Sequence, residues 1–219
     1  VRTKNVLGTI MQSIMILGVV SLLWILFGYS LAFGPDKGGI IGGLDWIGLS
    51  GVGSQPHAVY GPTIPHQAFM LFQLMFAAIA PALITGAFAE RKRFTSVVLF
   101  AAMWSILVYV PLAHWIWGGG WLAQMGALDF AGGAVIHISS GTAALVCAIV
   151  LGQRRGYGTD YMAPHNLPMT LLGTGFLWFG WFGFNGGSAL GANGVAVSAI
   201  IATHAAACMG ALSWCGAEW

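Results

Sequence analysis

Charged side chains are scarce in this sequence: Lys, Arg, Asp and Glu together make up 6% of its 219 residues. Soluble domains carry about a quarter, so this chain has too little charge to cover a water-facing surface. Hydrophobic residues reach 58% and the mean hydropathy is +0.81. Only an all-α polytopic membrane protein fits. Cysteine is sparse as well. Cys147, Cys208 and Cys215 fall inside apolar segments, match no zinc spacing and make a poor disulfide framework, so they read as small core residues. No HExxH motif occurs, and no basic run interleaved with aromatics; both absences argue against metal-dependent hydrolysis and nucleic-acid binding. No cofactor or metal is expected. The first apolar segment is too long for a cleaved signal and lacks a small-residue cleavage site. A start at Val1 and a stop on "GAEW" at the end of an apolar run read as a piece of something longer.

What is present is apolar length. Runs able to cross a ~30 Å hydrocarbon core occur six times, over roughly 6–33, 67–90, 94–117, 129–151, 167–186 and 193–217. Together they read as one partial transmembrane domain covering residues 1–219. A long Gly- and Pro-rich loop separates the first two spans, while the other connections are short, so neighbouring spans run antiparallel. Arg2 and Lys4 precede the first span; Arg91, Lys92 and Arg93 separate the second from the third; Arg154 and Arg155 follow the fourth. Only Lys37 falls on the other side. The positive-inside rule therefore makes the N-terminal end of this sequence cytoplasmic, with Asp129 at the outer surface. Glycine is dense, at 33 residues, which suits helices that approach one another closely within a bilayer.

The few polar residues inside these spans carry the information. Asp129 begins the fourth span after a Gly-rich turn, where a carboxylate caps backbone N–H groups and complements the helix dipole. It also raises the local cation concentration at an outer vestibule. On a continuous helix, His137 lies eight residues deeper, about 12 Å at ~1.5 Å per residue, near the midplane. Two readings stand for it: a histidine bonded to a neighbouring helix, or a group lining a conduction path. Trp117 in "HWIWGGGW" fits an interfacial aromatic belt, as do His114, Trp115 and Trp121; Trp117 also suits a cation–π platform. Phe72 and Phe76 share a face of the second span, and Phe184 lies in "WFGFNGGS". Spacing alone gives packing for these; for Ser188 it leaves two uses, a bond to a backbone carbonyl or an oxygen presented to a passing ligand. His204 is a second imidazole at membrane depth. His57, His66 and His165 fall in loops and turns and read as solvated.

The stretches "FQLMFAAIAPALITGAFAERKRF", "HWIWGGGWL", "DFAGGAVIHISSG", "APHNLP" and "GWFGFNGGSALGAN" resemble, in order and spacing, the signatures of the ammonium transporter family, the Amt and Mep proteins with the related Rh proteins. The resemblance runs from Arg2 to Trp219. It implies an eleven-helix fold with inverted repeats, of which the six spans correspond to the second to seventh helices. It further implies a homotrimer in the cell membrane, plasma or inner, a pore in each subunit, and contact with a cytoplasmic regulatory protein. By the same resemblance Trp117, Phe76 and Ser188 form an outer ammonium site, and Phe76 and Phe184 a gate. His137 lines the pore, and Asp129 supports the outer site structurally. The second pore histidine of the family belongs to a helix beyond Trp219, and His204 does not correspond to it. Ammonium transport is the implied function; an ammonium-binding sensor fused to a signalling module is the alternative. Nothing orients Ser188 as a nucleophile, which leaves an intramembrane enzyme a distant third.

Overall fold

The computed structural model describes residues 1–219 and contains six helices long and apolar enough to span a membrane. They are α1 (Thr3–Phe33), α2 (His66–Phe88), α3 (Phe94–Gln124), α4 (Gly133–Leu151), α5 (Leu167–Gly186) and α6 (Gly194–Glu218). Two short ribbons accompany them: β1 (Asp36–Lys37) with β2 (Ile41–Gly42), and β3 (Pro56–His57) with β4 (Gly61–Pro65), both antiparallel.

The expected spans are all present, with ends within three residues of expectation except at two places. The third helix continues past Trp117, through a corner of three glycines, into a last turn at Trp121–Gln124. The fourth starts at Gly133 rather than 129, because residues 129–132 form a turn in which Gly132 takes a left-handed φ of 98°. Four of the helices contain one π turn each, at Trp24–Gly28, Ser105–Tyr109, Gly133–Ile138 and Phe182–Gly186. Such turns widen a helix locally and recur at functional sites. Two of them carry His137 and Phe184.

The chain divides into two compact units. The first comprises Val1–Ser54 and His66–His165. Here α1 packs against α2 and α3 around an aromatic centre. Trp24 meets Tyr29, Phe33 and Tyr109 at ring distances of 5.9, 6.1 and 6.0 Å, and Phe33 meets Phe69 edge-on at 5.1 Å. Between lipid-soluble helices the hydrophobic effect gives no preference, so close ring contacts of this kind and hydrogen bonds hold the unit. Ser30 ties the loop to α1: its hydroxyl donates to the Gly43 carbonyl and accepts the Trp46 N–H, at 2.8 and 2.9 Å.

Two histidines depart from expectation here. His66 is buried at 4% exposure rather than solvated. Its Nε2 lies 2.6 Å from the Tyr29 hydroxyl, and the Trp46 ring covers it at 4.8 Å. His114 is fully buried, not part of a lipid-facing belt, because the end of α1 and the first ribbon close over it. His165 is exposed, as expected. The cysteines are free; Cys147 and Cys208 are half-buried and Cys215 is exposed, so none is a core residue of the described chain.

The basic face of this unit is knotted by Glu90. Its carboxylate, fully screened from solvent, accepts the Arg2 N–H at 2.6 Å and Arg2 Nε at 3.1 Å, with Arg154 Nη1 at 3.3 Å. Burial alone would raise its pKa, but the Arg2 backbone and side-chain bonds and a bond from Asn5 outweigh that and bring it down to about 2. Because the folded value lies below the ordinary one of 4.5, the knot is at full strength above pH 4.5 and is lost as pH falls toward 2. Glu90→Gln is therefore expected to lower the melting temperature of the full-length protein at pH 7. The gap from wild type should shrink between pH 4.5 and 3 in thermal scans in detergent. A gap that is constant with pH would count against the carboxylate.

The second unit comprises Gln55–Pro65 and Asn166–Trp219. In it α5 and α6 each begin with an asparagine cap: Asn166 accepts the Met169 N–H at 2.9 Å and Asn193 the Ala196 N–H at 3.0 Å. Asn185 donates to the Thr203 hydroxyl at 2.8 Å across the pair. Thr63 on β4 donates to the Leu190 carbonyl. His57 is half-buried, stacks on Tyr60 and accepts the Val59 and Tyr60 N–H groups.

Candidate functional site

Asp129 organises the entrance to α4. One carboxylate oxygen accepts the N–H groups of Gly132 and Gly133, both at 2.7 Å; the other accepts those of Ala134 and Val135, at 2.8 and 3.0 Å. The first turn of a helix leaves its N–H groups without intrahelical partners, and one anion satisfies four of them here. The expected capping role is thus present in a wider form. Asp129 stands three residues before the cap position, which Gly132 occupies. A side chain at Gly132 would collide with Ile136, so both its φ and its surroundings call for glycine.

The main chain of Asp129 does separate work. Its carbonyl accepts the indole N–H of Trp117 at 2.7 Å, which fixes the half-buried Trp117 ring in orientation. Phe76, only 2% exposed, sits beside that indole with ring centroids 5.9 Å apart and planes at 51°. Phe72 braces Phe76 edge-on at 4.5 Å. Three of the expected site residues, Phe76, Trp117 and Asp129, therefore come together in the first unit. Because the indole N–H is occupied, what Trp117 offers a ligand is its π face.

His137 lies in the π turn that opens α4, its N–H bonded to the Gly132 carbonyl at 3.0 Å, with its side chain on the exposed side. It is the fifth residue of the helix, which begins at Gly133.

Phe184 and Ser188 belong to the second unit. Phe184 stacks on Trp181 with centroids 4.4 Å apart and planes within 7°. The Ser188 hydroxyl donates to the Phe184 carbonyl at 2.9 Å. Its proton is directed back to the end of α5, and its lone pairs are left as acceptors. His204 is engaged locally: Trp178 Nε1 donates to its Nδ1 at 3.3 Å, and Cys208 Sγ lies 3.8 Å from its Nε2.

The residue that spacing failed to single out is His114, three positions before Trp117. It binds Asp36 at 2.9 Å across 78 residues of chain. A histidine within a tryptophan-rich run reads as one more interfacial ring; the partner that buries it is not adjacent in sequence.

The profile of the Ammonium Transporter Family matches residues 1–219. An ammonium transporter of Bacillus subtilis is 57% identical over 219 residues, covering 100% of this chain and 53% of that protein. The crystal structure of Candida albicans Mep2 superposes with a TM-score of 0.85 at 39% identity, over 94% of this chain and 46% of that one. A structure described as a sensor Amt protein gives 0.76 at 33% identity, over 88% and 49%. The chain thus spans about half the length of the relatives it matches. With ordered motifs, six apolar helices and whole-length similarity in agreement, the chain belongs to the ammonium transporter family.

Proposed function

We propose that the protein carrying this sequence moves ammonium across the cell membrane. Ammonium is captured at an outer cation–π site, loses a proton, and passes as NH3 along an apolar, histidine-lined path, with or without a separate route for the proton. The observation that carries this reading is the Trp117–Phe76 pair, with the indole N–H tied to the Asp129 carbonyl. A ring pinned by its edge presents its electron-rich face in a fixed direction, which suits an ammonium cation. Trp117, Phe76 and Ser188 hold the cation. Ser188 contributes lone pairs, since its own proton goes to the Phe184 carbonyl.

That set discriminates by chemistry more than by size. Ammonium resembles potassium in radius but donates directional hydrogen bonds, and it alone can shed a proton to become neutral. An aromatic cage with one hydroxyl acceptor rewards the donor pattern and gives a bare metal ion little in place of its hydration shell. Phe76 and Phe184 gate the path, and below them a full charge costs several kcal/mol. Asp129 supports the outer site through the α4 entrance, and His137 lines the path.

The family likeness further supports a homotrimer in the bilayer, with the Arg- and Lys-rich ends facing the cytoplasm and a cytoplasmic regulatory protein as partner. A second reading, an ammonium-binding sensor, is supported by the likeness to the sensor Amt protein. Uptake of labelled methylammonium separates the two. The transport reading expects saturable uptake by the full-length wild type and at least about a tenfold loss for His137→Ala, as befits a proton-handling group. Uptake undiminished in that variant removes His137 from the path; its absence in wild type, with ammonium still bound, favours the sensor.

A further inference from the structure

The corner that carries Trp117 is held by a histidine to which the transport reading gives no role. His114 is fully buried, and both of its ring nitrogens face oxygen acceptors. Nδ1 lies 2.9 Å from the Ala32 carbonyl and Nε2 lies 2.9 Å from Asp36 Oδ1. A neutral imidazole has one N–H and donates once. It would leave a lone pair against an oxygen at one of the two contacts. A proton on each nitrogen removes that conflict, and the Asp36 carboxylate balances the charge.

The surrounding bonds lead from this ring to Trp117. Asp36 Oδ1 also accepts the Gly39 N–H at 2.8 Å, and the Gly39 carbonyl accepts the Trp121 N–H at 3.0 Å. The His114 carbonyl accepts the N–H groups of Gly118 and Gly120, at 3.0 and 2.9 Å. Trp117 lies inside this circuit. Gly118 is pressed so closely on the Ala32 carbonyl and His114 Nδ1 that any side chain there would collide.

The other titratable groups on the segments around this stretch are Tyr29 near the end of α1, Tyr109 on α3 itself, Lys37 on β1, His137 on α4 and Asp129 in the turn before α4. Of the titratable groups, Asp36 is the one bonded to the ring. The Asp36 carboxyl is held below its ordinary range, chiefly by the hydrogen bond from His114. Partial desolvation opposes this, and backbone bonds from Gly39 and Lys37 add to it.

We propose that His114 is a positioning residue of the outer cation site, protonated on both nitrogens, whose paired bonds to Ala32 and Asp36 fix the corner bearing Trp117. This rests on the capture role proposed for Trp117. Solid-state 15N spectra of the full-length protein, labelled at histidine and held in bilayers at pH 7, test the protonation directly. Wild type is expected to show one ring with both nitrogens protonated, assigned by its disappearance in His114→Gln. Asp36→Asn should return that ring to a single protonated nitrogen. A bare nitrogen on His114 in wild type overturns the proposal.

Methylammonium uptake tests the consequence. Asp36→Asn is expected to raise the half-saturating concentration about fivefold, as loss of a charge-assisted bond loosens the corner, while the maximal rate is kept. Asp36→Glu should recover part of the affinity. A reduced maximal rate with unchanged half-saturation also overturns the proposal. The nitrogen signals decide the clamp even in a protein that moves no methylammonium, so the clamp and the transport reading fail separately.

Discussion

Replacing Asp129 by alanine is expected to abolish methylammonium uptake and to destabilise the full-length protein by about 3 kcal/mol, from four N–H bonds lost at one helix entrance. The basis is the pattern of contacts: one carboxylate serves Gly132, Gly133, Ala134 and Val135 at 2.7 to 3.0 Å. Without it, four donors at the start of α4 lose their acceptor at once. The variant keeps the backbone carbonyl that binds the Trp117 indole, so that bond is lost only if the turn itself moves. Thermal scans and uptake should therefore fall together. Asp129→Asn retains one oxygen and two of the four bonds, which places it between alanine and wild type in both measurements. An alanine variant that melts with wild type would show that the carboxylate does not hold the turn. One that melts early yet transports normally would confine Asp129 to folding.

Much of this fold is legible because membrane spans are written in composition. Apolar runs set the number and placement of the six helices to within a few residues, and the basic residues cluster at alternate ends. What sequence hides is set by contacts between distant residues. The start of α4 moved by four residues because the Asp129 side chain reaches forward over a left-handed Gly132; a carboxylate before two glycines suggests a cap but not its reach. His66 stands in a loop-rich stretch and reads as solvated, yet Tyr29, 37 residues earlier, and Trp46 bury it. His114 and Asp36 are likewise joined across 78 residues, with nothing local to mark them. At the site, spacing alone gave packing for Phe76 and belt for Trp117. Their assignment as a cation site came from the family motifs, and the 5.9 Å ring pair and the occupied indole N–H are what the geometry adds. The roles of Phe184 and Ser188 rest on the same motifs. Their local bonds, to Trp181 and to the Phe184 carbonyl, are ones that any helix could make.

Trp117→Leu is expected to raise the half-saturating concentration for methylammonium about 30-fold, because a desolvated cation–π contact with Trp is worth about 2 kcal/mol. Leucine removes the π face and the indole N–H together and leaves a smaller apolar side chain, so it is read against Trp117→Phe, which also lacks the N–H but keeps a ring. Trp117→Phe should fall between the two. It keeps a ring but loses the N–H that fixes the ring against the Asp129 carbonyl, so the face remains while its direction is less constrained. The order Trp, then Phe, then Leu in affinity is the signature of a cation–π site; an interfacial belt residue would tolerate both changes. Competition by potassium sharpens the test. If the aromatic face and the Ser188 acceptor favour ammonium by its hydrogen-bond donors, Trp117→Leu weakens methylammonium without improving potassium as a competitor, since neither site replaces potassium's hydration shell. Unchanged half-saturation in the leucine variant would return Trp117 to the belt and leave Phe76 without its partner in capture.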